Sequence, residues 1–394
     1  LFPYTESALR SEDGAEALSP LARSLIAKAE MLVGGKRQLA LIPDDGQARP
    51  EWGGDVHGMI EEIAARRGQA IVVLATGDPM WFGIGATLRR RFAAEEMLIL
   101  PAPSAFSLVA ARLGWPLAET ECLSVHGRAL ARVQAFFAPD ARLIALAGNG
   151  DTPSAVAELL VEAGYGASEM TAFAHMGGPK EECFHARADE WGKTRVPDFN
   201  TLAVACRAGP EARILSRAPG LPDDAFRHDG QLTKREVRGA TLAALVPLPR
   251  QLLWDVGAGC GSVAIEWMRA ERTARAIAVE RSVDRIALIE ENALALGVPD
   301  LAIHQGDAPG VLADLEDPDA VFLGGGLTEP GLLERAWERL KPGGRLVANA
   351  VTFEGEQELQ AQASELGAEL VRLEISRAAD VGRFKGWNPL KPVT

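Results

Sequence analysis

The chain has 394 residues, of which 47% are hydrophobic and 24% are charged. Acidic side chains outnumber basic ones by 54 to 41, which gives a formal net charge of −13. This length predicts two or three domains of about 100–200 residues each, and the composition excludes disulfide scaffolds and disordered chains. The acidic balance also argues against nucleic acid as the main partner, because phosphate contacts need clustered lysine and arginine.

The sequence contains no targeting or membrane signal that we can identify. A membrane-spanning helix needs about 18 consecutive apolar residues, and the best run, around residues 251–256, is interrupted by Pro249, Arg250 and Asp255. The first residues lack a basic segment followed by an apolar one, as a secretory signal would have. We therefore expect a cytoplasmic protein without a membrane partner.

Cysteine and histidine spacing argues against a metal site. The six histidines are scattered, and the cysteines form none of the close pairs that zinc sites or redox motifs require. We predict no metal site and expect buried, reduced thiols at the four cysteines, which are Cys122, Cys183, Cys206 and Cys260.

The first half of the chain has an α/β pattern. From about Ser19 to Arg207, strand-like runs such as 70–74 and 143–146 alternate with helical patterns. Ser19 followed by Pro20 predicts the start of a helix, with serine as the cap. Glycine, proline and aspartate then dominate, which indicates a domain boundary. We expect domains at 1–207 and 230–394, joined by a linker at 208–229.

The second half predicts a doubly wound, mostly parallel sheet with a Rossmann-like arrangement. Strand-like runs occur at about 252–256, 275–279, 301–304, 319–323 and 345–349, and helical segments begin near 234, 262, 284, 309, 329 and 356. The last two segments, about 369–376 and 385–391, are separated by a polar loop that is too short for a crossover helix. We expect them to form an antiparallel pair at the sheet edge.

A strand that runs into a glycine-rich turn and then a helix carries the clearest chemical signal. Asp255 lies near the strand end, and Gly257, Gly259 and Gly261 follow it. Glycines let the backbone approach a ligand closely, and the free amides at the helix start favour a polar or anionic group. A dinucleotide fingerprint would need a glycine where Ser262 stands, which argues against an NAD-dependent oxidoreductase.

This Asp-x-Gly-x-Gly-x-Gly pattern resembles the first motif of the class I S-adenosylmethionine-dependent methyltransferases. In that family an acid at the next strand end, here Glu280, accepts hydrogen bonds from the ribose hydroxyls. Segments 306–308 and 324–326 match the adenine contact and the loop beside the methyl donor. The resemblance implies that the donor is bound by Asp255, Gly257, Ala258, Gly259, Cys260, Gly261, Glu280, Asp307, Ala308 and Gly324.

Residues 233–238, together with 306–309 and the triple glycine, resemble the decarboxylating corrin methyltransferases of cobalamin biosynthesis. In that family the position of Thr233 touches the cofactor. The tail, with three basic residues in its predicted loop, fits the same family.

The first half resembles the tetrapyrrole (precorrin) methylases, a different fold that also uses S-adenosylmethionine. The similarity lies in the Gly-Asp-Pro loop of Gly77, Asp78 and Pro79. The resemblance implies that this loop binds the cofactor. Segments 103–104, 124–128, 146–150 and 199–203 follow in that family's order. Residues 1–11 lack the family's apolar first strand and its Gly-x-Gly turn. The strand is therefore truncated or replaced, or the domain start is not authentic, which leaves this domain's activity open.

The two halves together are similar to the fused precorrin-6Y C(5,15)-methyltransferase (decarboxylating) family. The resemblance implies that the first domain methylates one bridge carbon of a tetrapyrrole. The second domain would methylate the other and remove a carboxylate from a ring acetate, so that precorrin-8X is formed. Methyl transfer of this kind needs positioning rather than a catalytic triad, and we assign no catalytic residue.

A tetrapyrrole with several carboxylates needs local cations on an acidic protein, and arginine binds carboxylates in a bidentate manner. Ordinary solvated charge is an equally weighted alternative for each candidate. Asn349, at the fifth strand end, either faces substrate or satisfies loop amides. His126 and Trp81 either pack or contact the ligand. The candidate cations are Arg128 and Arg132 in the first domain and Lys234, Arg235, Arg238, Arg377, Arg383 and Lys385 in the second.

Several alternatives stay open. The chain could join a class I methyltransferase for tRNA or protein to an unrelated domain, or act on a cobalt-bearing precorrin. A non-enzymatic regulator that binds the methyl donor is a further possibility. We expect a small-molecule tetrapyrrole as the partner and assembly of the chain into a homo-oligomer.

Overall fold

The computed structural model describes residues 4–9 and 18–394. The chain divides into two compact units. Unit 1 comprises Leu1–Leu130 and Ala138–Arg213, and unit 2 comprises Ala131–Phe137 and Ile214–Thr394. Because Ala131–Phe137 groups with unit 2, the units are not simple consecutive halves of the sequence, which no local pattern indicated.

Unit 1 contains two sheets. The strands are β1 (Tyr4–Leu9), β2 (Met31–Val33), β3 (Ile71–Thr76), β4 (Met97–Leu100), β5 (Glu121–Ser124), β6 (Arg142–Leu146), β7 (Glu169–Ala174), β8 (Glu182–Arg187) and β9 (Asn200–Ala205). The helices are α1 (Pro20–Ala27), α2 (Lys36–Ala40), α3 (Val56–Ala65), α4 (Ile84–Leu88), α5 (Ala105–Leu113) and α6 (Thr152–Glu162). The first sheet is parallel, in the order β2-β3-β1-β4, and the second is mixed, in the order β5-β6-β9-β7-β8.

A first strand is present in unit 1, although the sequence there is not apolar. Strand β1 pairs in parallel with β3 on one side and with β4 on the other, so it lies inside the sheet. A strand is thus present at this position with a polar sequence, which fits replacement of the family's apolar strand. The place of the family's Gly-x-Gly turn lies outside the described residues.

Strand β3 shows why unit 1 forms a buried parallel sheet. Its side chains alternate between two hydrophobic clusters: Ile71 packs with Ile63, and Val72 packs with Leu32. A strand that is buried on both faces has a continuous apolar sequence, and the strand predicted from the apolar run at 70–74 is confirmed. The predicted start of α1 is also confirmed, because Ser19 Oγ accepts a hydrogen bond from the Ala22 amide at 3.1 Å.

Unit 2 is built around a parallel sheet in the order β12-β11-β10-β13-β14. Its strands are β10 (Leu252–Val256), β11 (Arg275–Glu280), β12 (Ala302–Gln305), β13 (Ala320–Leu323), β14 (Arg345–Ala348), β15 (Ser376–Val381) and β16 (Phe384–Pro389). Its helices are α7 (Arg235–Leu245), α8 (Ser262–Ala270), α9 (Val283–Ala295), α10 (Leu332–Arg339) and α11 (Phe353–Leu366). The predicted doubly wound sheet is confirmed. The helix predicted near residue 309 is a short 3-10 turn at Gly310–Asp314.

Strand β10 is at the centre of this sheet, and the order of the strands reverses on either side of it. Ligands bind at such switch points, outside the carboxyl ends of the strands. Leu253 packs into one hydrophobic cluster and Trp254 into another, so the strand is buried on both faces. The loop after β10 is therefore held on a rigid base.

The antiparallel pair at the end of the chain is confirmed, but its position differs from the prediction. Strand β15 lies within the segment predicted as a loop, whereas β16 largely matches the strand predicted at about 385–391. The two form a two-stranded sheet of their own and not the edge of the parallel sheet. Gly382 has φ +61°, which permits a tight turn between Val381 and Phe384. Most residues of both strands are exposed, so burial imposes no clear alternating pattern on the sequence.

Of the helices in the described segments, none combines the length and the apolar character that crossing a membrane requires.

Candidate functional sites

The glycine-rich loop after β10 owes its shape to three left-handed glycines. Gly257, Gly259 and Gly261 have φ values of +70°, +61° and +79°, which residues with a side chain rarely adopt. A Cβ added at Gly257 would lie 3.3 Å from the Gly325 amide nitrogen, so the loops after β10 and β13 approach closely. Ala258, between the first two glycines, donates its amide to Val279 O at 3.1 Å.

Asp255 supplies a buried carboxyl group directly beneath this loop. Its Oδ2 accepts a hydrogen bond from the Ala264 amide at 2.9 Å, and its Oδ1 has no hydrogen-bond partner. Burial, with a smaller contribution from the neighbouring charge of Glu280, raises the pKa of Asp255 to about 7. A buried oxygen without a partner is costly, so this position suits a ligand that brings a donor or a positive charge.

Glu280, at the end of β11, ties the glycine-rich loop to its own strand. Its Oε2 accepts from the Gly259 amide at 2.9 Å, and its Oε1 accepts from the amides of Arg281 and Ser282 at 3.0 Å. Each carboxylate oxygen can accept two hydrogen bonds. Oε2 therefore keeps capacity for one further donor.

The remaining predicted donor-site residues lie at the same edge of the sheet. Asp307 is exposed, with Oδ1 3.7 Å from Arg281 Nη1, and Ala308 packs against the cluster around Trp254. Gly324 donates its amide to Val256 O at 3.0 Å. The structure thus brings the residues predicted after β10, β11, β12 and β13 to one edge.

Arg238 is structural, and its prediction as a cation facing a substrate is wrong. The side chain is fully buried, and its Nε donates to Glu266 Oε1 at 2.6 Å. The guanidinium also donates to the carbonyls of Thr233 and Leu221. The hydrogen bond from Arg238 therefore fixes the backbone at Thr233, just before α7.

Arg377 lies on β15 rather than in a loop, and two carboxylates already engage it. Its Nη2 is 2.6 Å from Glu236 Oε2, and its Nη1 is 2.9 Å from Asp223 Oδ2. Arg377 lowers the pKa of Glu236, and Arg377 and Arg238 together hold the pKa of Asp223 down against its burial. Arg377 has few donors left for a substrate carboxylate.

The other predicted cations of unit 2 differ in accessibility. Lys385 lies on β16 and pairs with Asp380 across the hairpin at 2.6 Å. Arg383 is in the exposed turn, with its guanidinium carbon 5.0 Å from the centre of the Phe384 ring. Lys234 is half-buried at the cap of α7, and Arg235 is exposed.

Asn349 and Arg132 also have defined partners. The Asn349 side-chain amide donates to Thr241 Oγ1 at 3.0 Å and so ties the end of β14 to α7. This arrangement is closer to the structural alternative, although the partner is a hydroxyl and not a loop amide. Arg132 belongs to unit 2, where it forms an ion pair with Asp300.

In unit 1 the segments predicted as motifs converge on one cavity of about 550 Å³. The cavity lies where β3, β5 and β6 end and where β9 begins. Residues from all five predicted segments line it: Asp78, Ser104, Ser124, His126, Arg128, Leu146, Phe199 and Asn200.

The Gly-Asp-Pro loop forms one tight wall of the cavity. Gly77 has φ +71°, and a Cβ added there would lie 2.9 Å from Ser104 Cα. Asp78 Oδ1 accepts from the Met80 amide at 2.8 Å, which closes the turn. A Cβ at Gly83 would lie 2.6 Å from the carbonyl oxygen of Pro79, so the chain also packs closely there.

Aromatic rings and Arg128 complete the lining of the cavity. Trp81 stacks on Phe106 with ring centres 5.4 Å apart, and Arg128 lies over Phe82 at 4.9 Å. Trp81 thus packs and lines the cavity at the same time, and His126 lines it as an exposed side chain.

The sequence did not indicate Arg37 and Gln38, whose side chains donate to Thr76 Oγ1 at 2.8 and 3.1 Å. Arg37 also lies over the Phe199 ring, 4.2 Å from its centre. These two residues belong to the five-residue helix α2, and so short a helix leaves little periodic signal.

The cysteines are free in the described structure, and one of them is not buried. Cys183 is exposed on β8, an edge strand, which corrects the expectation of four buried thiols. Burial raises the pKa of Cys206 to about 12 and that of Cys260 to about 11, so both stay protonated at neutral pH. Among the described residues, no group of three or more potential ligands could hold a metal ion.

Two family matches together cover most of the chain. Residues 13–191 match the tetrapyrrole (corrin/porphyrin) methylases, and residues 224–394 match the precorrin methyltransferase domain. The C-terminal domain of a precorrin-6Y C5,15-methyltransferase from Rhodobacter capsulatus is 47% identical. It covers 45% of this chain and 96% of its own, with a TM-score of 0.43.

Full-length relatives show the same combination. A Sinorhizobium protein named precorrin-6Y C(5,15)-methyltransferase [decarboxylating] is 46% identical over 97% of this chain and 93% of its own length. A protein of the same name from Mycobacterium tuberculosis is 41% identical over 97% of this chain and 96% of its own. The chain therefore belongs to the family of decarboxylating precorrin-6Y C(5,15)-methyltransferases.

Proposed function

We propose that the chain transfers two methyl groups from S-adenosylmethionine to carbons 5 and 15 of precorrin-6Y and removes the carboxyl group of its ring C acetate. The product would be precorrin-8X. The similarity along 97% of the chain to a protein of the corresponding name is the observation that carries this proposal. The two separate sites, one in each unit, support a division of the two methylations between them.

The residues of unit 2 fit a methyl donor that combines a positive charge with ribose hydroxyls. S-adenosylmethionine supplies, when bound, a methyl group on a positively charged sulfur. Asp255 offers an unpartnered Oδ1, and Glu280 keeps one acceptor direction open. The left-handed glycines let the loop backbone approach a ligand without side-chain clashes. Asp307 and Ala308 would hold the adenine end.

The cavity of unit 1 fits a small-molecule site, since such sites measure about 300–1,000 Å³. Its aromatic walls suit a flat conjugated ligand, and Arg128 suits its carboxylates. In both units the protein would act by orienting the methyl donor against a nucleophilic bridge carbon and by excluding water. On decarboxylation, the electron pair would pass into the conjugated macrocycle.

Incubation of the full chain with precorrin-6Y and S-adenosylmethionine, followed by mass spectrometry, tests the proposal. We expect the gain of two methyl groups and the loss of one carbon dioxide. Glu280→Gln should yield no loss of carbon dioxide, whereas Gly77→Val should yield one methyl gained with carbon dioxide lost. Methylation of tRNA or protein without change in precorrin-6Y, or turnover of the cobalt-bearing substrate alone, would contradict the proposal.

We also propose limits for the two domains, assembly into a homo-oligomer and a cytoplasmic location. Domain limits of 1–207 and 230–394 predict that limited proteolysis first cuts within 208–229, in the part that lies outside unit 2, at 208–213. A homo-oligomer predicts a mass above that of one chain in light scattering. A cytoplasmic location predicts recovery of the protein in the cytoplasmic fraction of its host, and recovery in another fraction would contradict it.

A further inference from the structure

Residues 227–233 of unit 2, called the strap below, lie beside the glycine-rich loop. The Gln231 carbonyl oxygen is the nearest atom to a Cβ added at Gly259, at 4.0 Å. The strap ends at Thr233, whose carbonyl Arg238 holds in place. The strap and the glycine-rich loop thus form adjoining parts of the proposed methyl-donor site.

Asn292 on α9 joins the strap to the glycine-rich loop through three hydrogen bonds. Its Oδ1 accepts from the Arg227 amide at 2.8 Å, and its Nδ2 donates to Arg227 O at 2.9 Å. The same Nδ2 donates to Cys260 O at 3.0 Å. The residue is 2% exposed, so removal of its side chain would leave these backbone groups without partners in a site that water reaches poorly.

Arg285, two turns earlier on α9, holds the middle of the strap. Its Nε donates to Asp229 Oδ2 at 2.9 Å and its Nη2 to Gln231 Oε1 at 2.8 Å. Arg285 also helps to keep the pKa of Asp229 low, after the larger contribution of the Gln231 amide. Arg285 therefore bonds to the strap, whereas Asn292 bonds to both the strap and the glycine-rich loop.

We infer that Asn292 is a positioning residue that sets the separation of the strap from the glycine-rich loop, and that Arg285 supports it from outside. This inference rests on the proposed binding of S-adenosylmethionine at the loop. Neither side chain is assigned a contact with the reacting atoms. Loosening the strap therefore weakens donor binding and leaves the rate at saturating donor unchanged.

The test compares Asn292→Ala and Arg285→Met with Glu290→Gln, a change at an exposed position on the same helix. Hydrogen-exchange mass spectrometry of peptides from 252–268, recorded during titration with S-adenosylmethionine, reads binding in unit 2 separately from unit 1. Loss of a buried hydrogen-bonded link predicts about a tenfold rise in Kd for Asn292→Ala. We expect about threefold for Arg285→Met, no change for Glu290→Gln, and a kcat within twofold of wild type for all three.

Two results would overturn the inference. The first is an Asn292→Ala protein that folds and binds the donor with the wild-type Kd. The second is a fall in kcat without a change in Kd. If Asn292→Ala does not fold, Arg285→Met decides, and a wild-type Kd there refutes the positioning role. Failure of the wild type itself to bind the donor at 252–268 would instead refute the proposed function.

Discussion

Replacement of Asp255 by asparagine should make unit 2 more stable at neutral pH. The carboxyl group is fully buried, one of its oxygens has no partner, and Glu280 adds a like charge nearby. Asparagine keeps an oxygen that can accept the hydrogen bond from the Ala264 amide, and it carries no charge. The substitution therefore isolates the free energy of ionising this one group.

The size and sign of the effect follow from linkage. The pKa of Asp255 rises from an ordinary 3.8 to about 7 in the folded chain, which corresponds to about 4 kcal/mol at ~1.4 kcal/mol per pH unit. Between these values the folded state binds the proton and the unfolded state does not. The stabilisation is complete below pH 3.8, declines as pH rises, and is lost above about 7.

Urea unfolding at pH 5, 6, 7 and 8 checks this, with the unfolding of unit 2 followed by hydrogen exchange in peptides from β10. The free energy of unfolding of Asp255→Asn, minus that of wild type, should rise by about 1.4 kcal/mol per pH unit up to pH 7 and then level off. Asp319→Asn is a control whose difference should be negative and nearly constant over this range, because hydrogen bonds from the Leu252 amide and Lys341 lower the pKa of Asp319 despite its burial, so that its carboxyl group is ionised in both states above pH 5. A difference for Asp255→Asn that is constant from pH 5 to 8 would refute a protonated carboxyl group.

Three other substitutions test the roles assigned above. Arg238→Met should destabilise unit 2 by about 3–5 kcal/mol in urea unfolding, because it leaves the buried Glu266 carboxylate without its cationic partner; a cost below about 1 kcal/mol would contradict this. Arg128→Met should raise the KM for precorrin-6Y several-fold with little change in the donor Kd, and an unchanged KM would remove it from the site. Gly261→Ala forces a side chain into φ +79° and within 3.0 Å of a neighbour, so calorimetry should show a lower melting temperature and titration weaker donor binding.

The fold of unit 2 could be predicted because its signals are local. Strand β10 is a short apolar run that ends in spaced glycines, and the helix follows at once, so one segment defines strand, turn and helix. The hairpin of β15 and β16 lacked such a signal. Most of its residues face solvent, and without a buried face the sequence has no alternation from which the bounds of the strands can be predicted.

The sites were predicted unevenly for a related reason. Residues that act through backbone geometry, such as Gly77 and Gly257, are visible as glycines at motif spacing. Asn292 and Arg37 act through hydrogen bonds to groups 32 or more positions away. An isolated asparagine or arginine has no periodicity that would reveal such a partner. Long-range contacts of this kind become visible only once the chain is folded.

The same limit applies to charge. Because the net charge is −13, the sequence predicted that the clustered cations of unit 2 bind an anionic ligand. In the structure Arg238, Arg377 and Lys385 each pair with a carboxylate. A substrate carboxylate would gain little from these cations, because it would first have to displace an existing partner at a cost in desolvation and hydrogen bonding. For the proposed substrate, we therefore expect recognition in unit 2 to depend on cations such as the exposed Arg383, or on backbone donors at the carboxyl edge of the sheet.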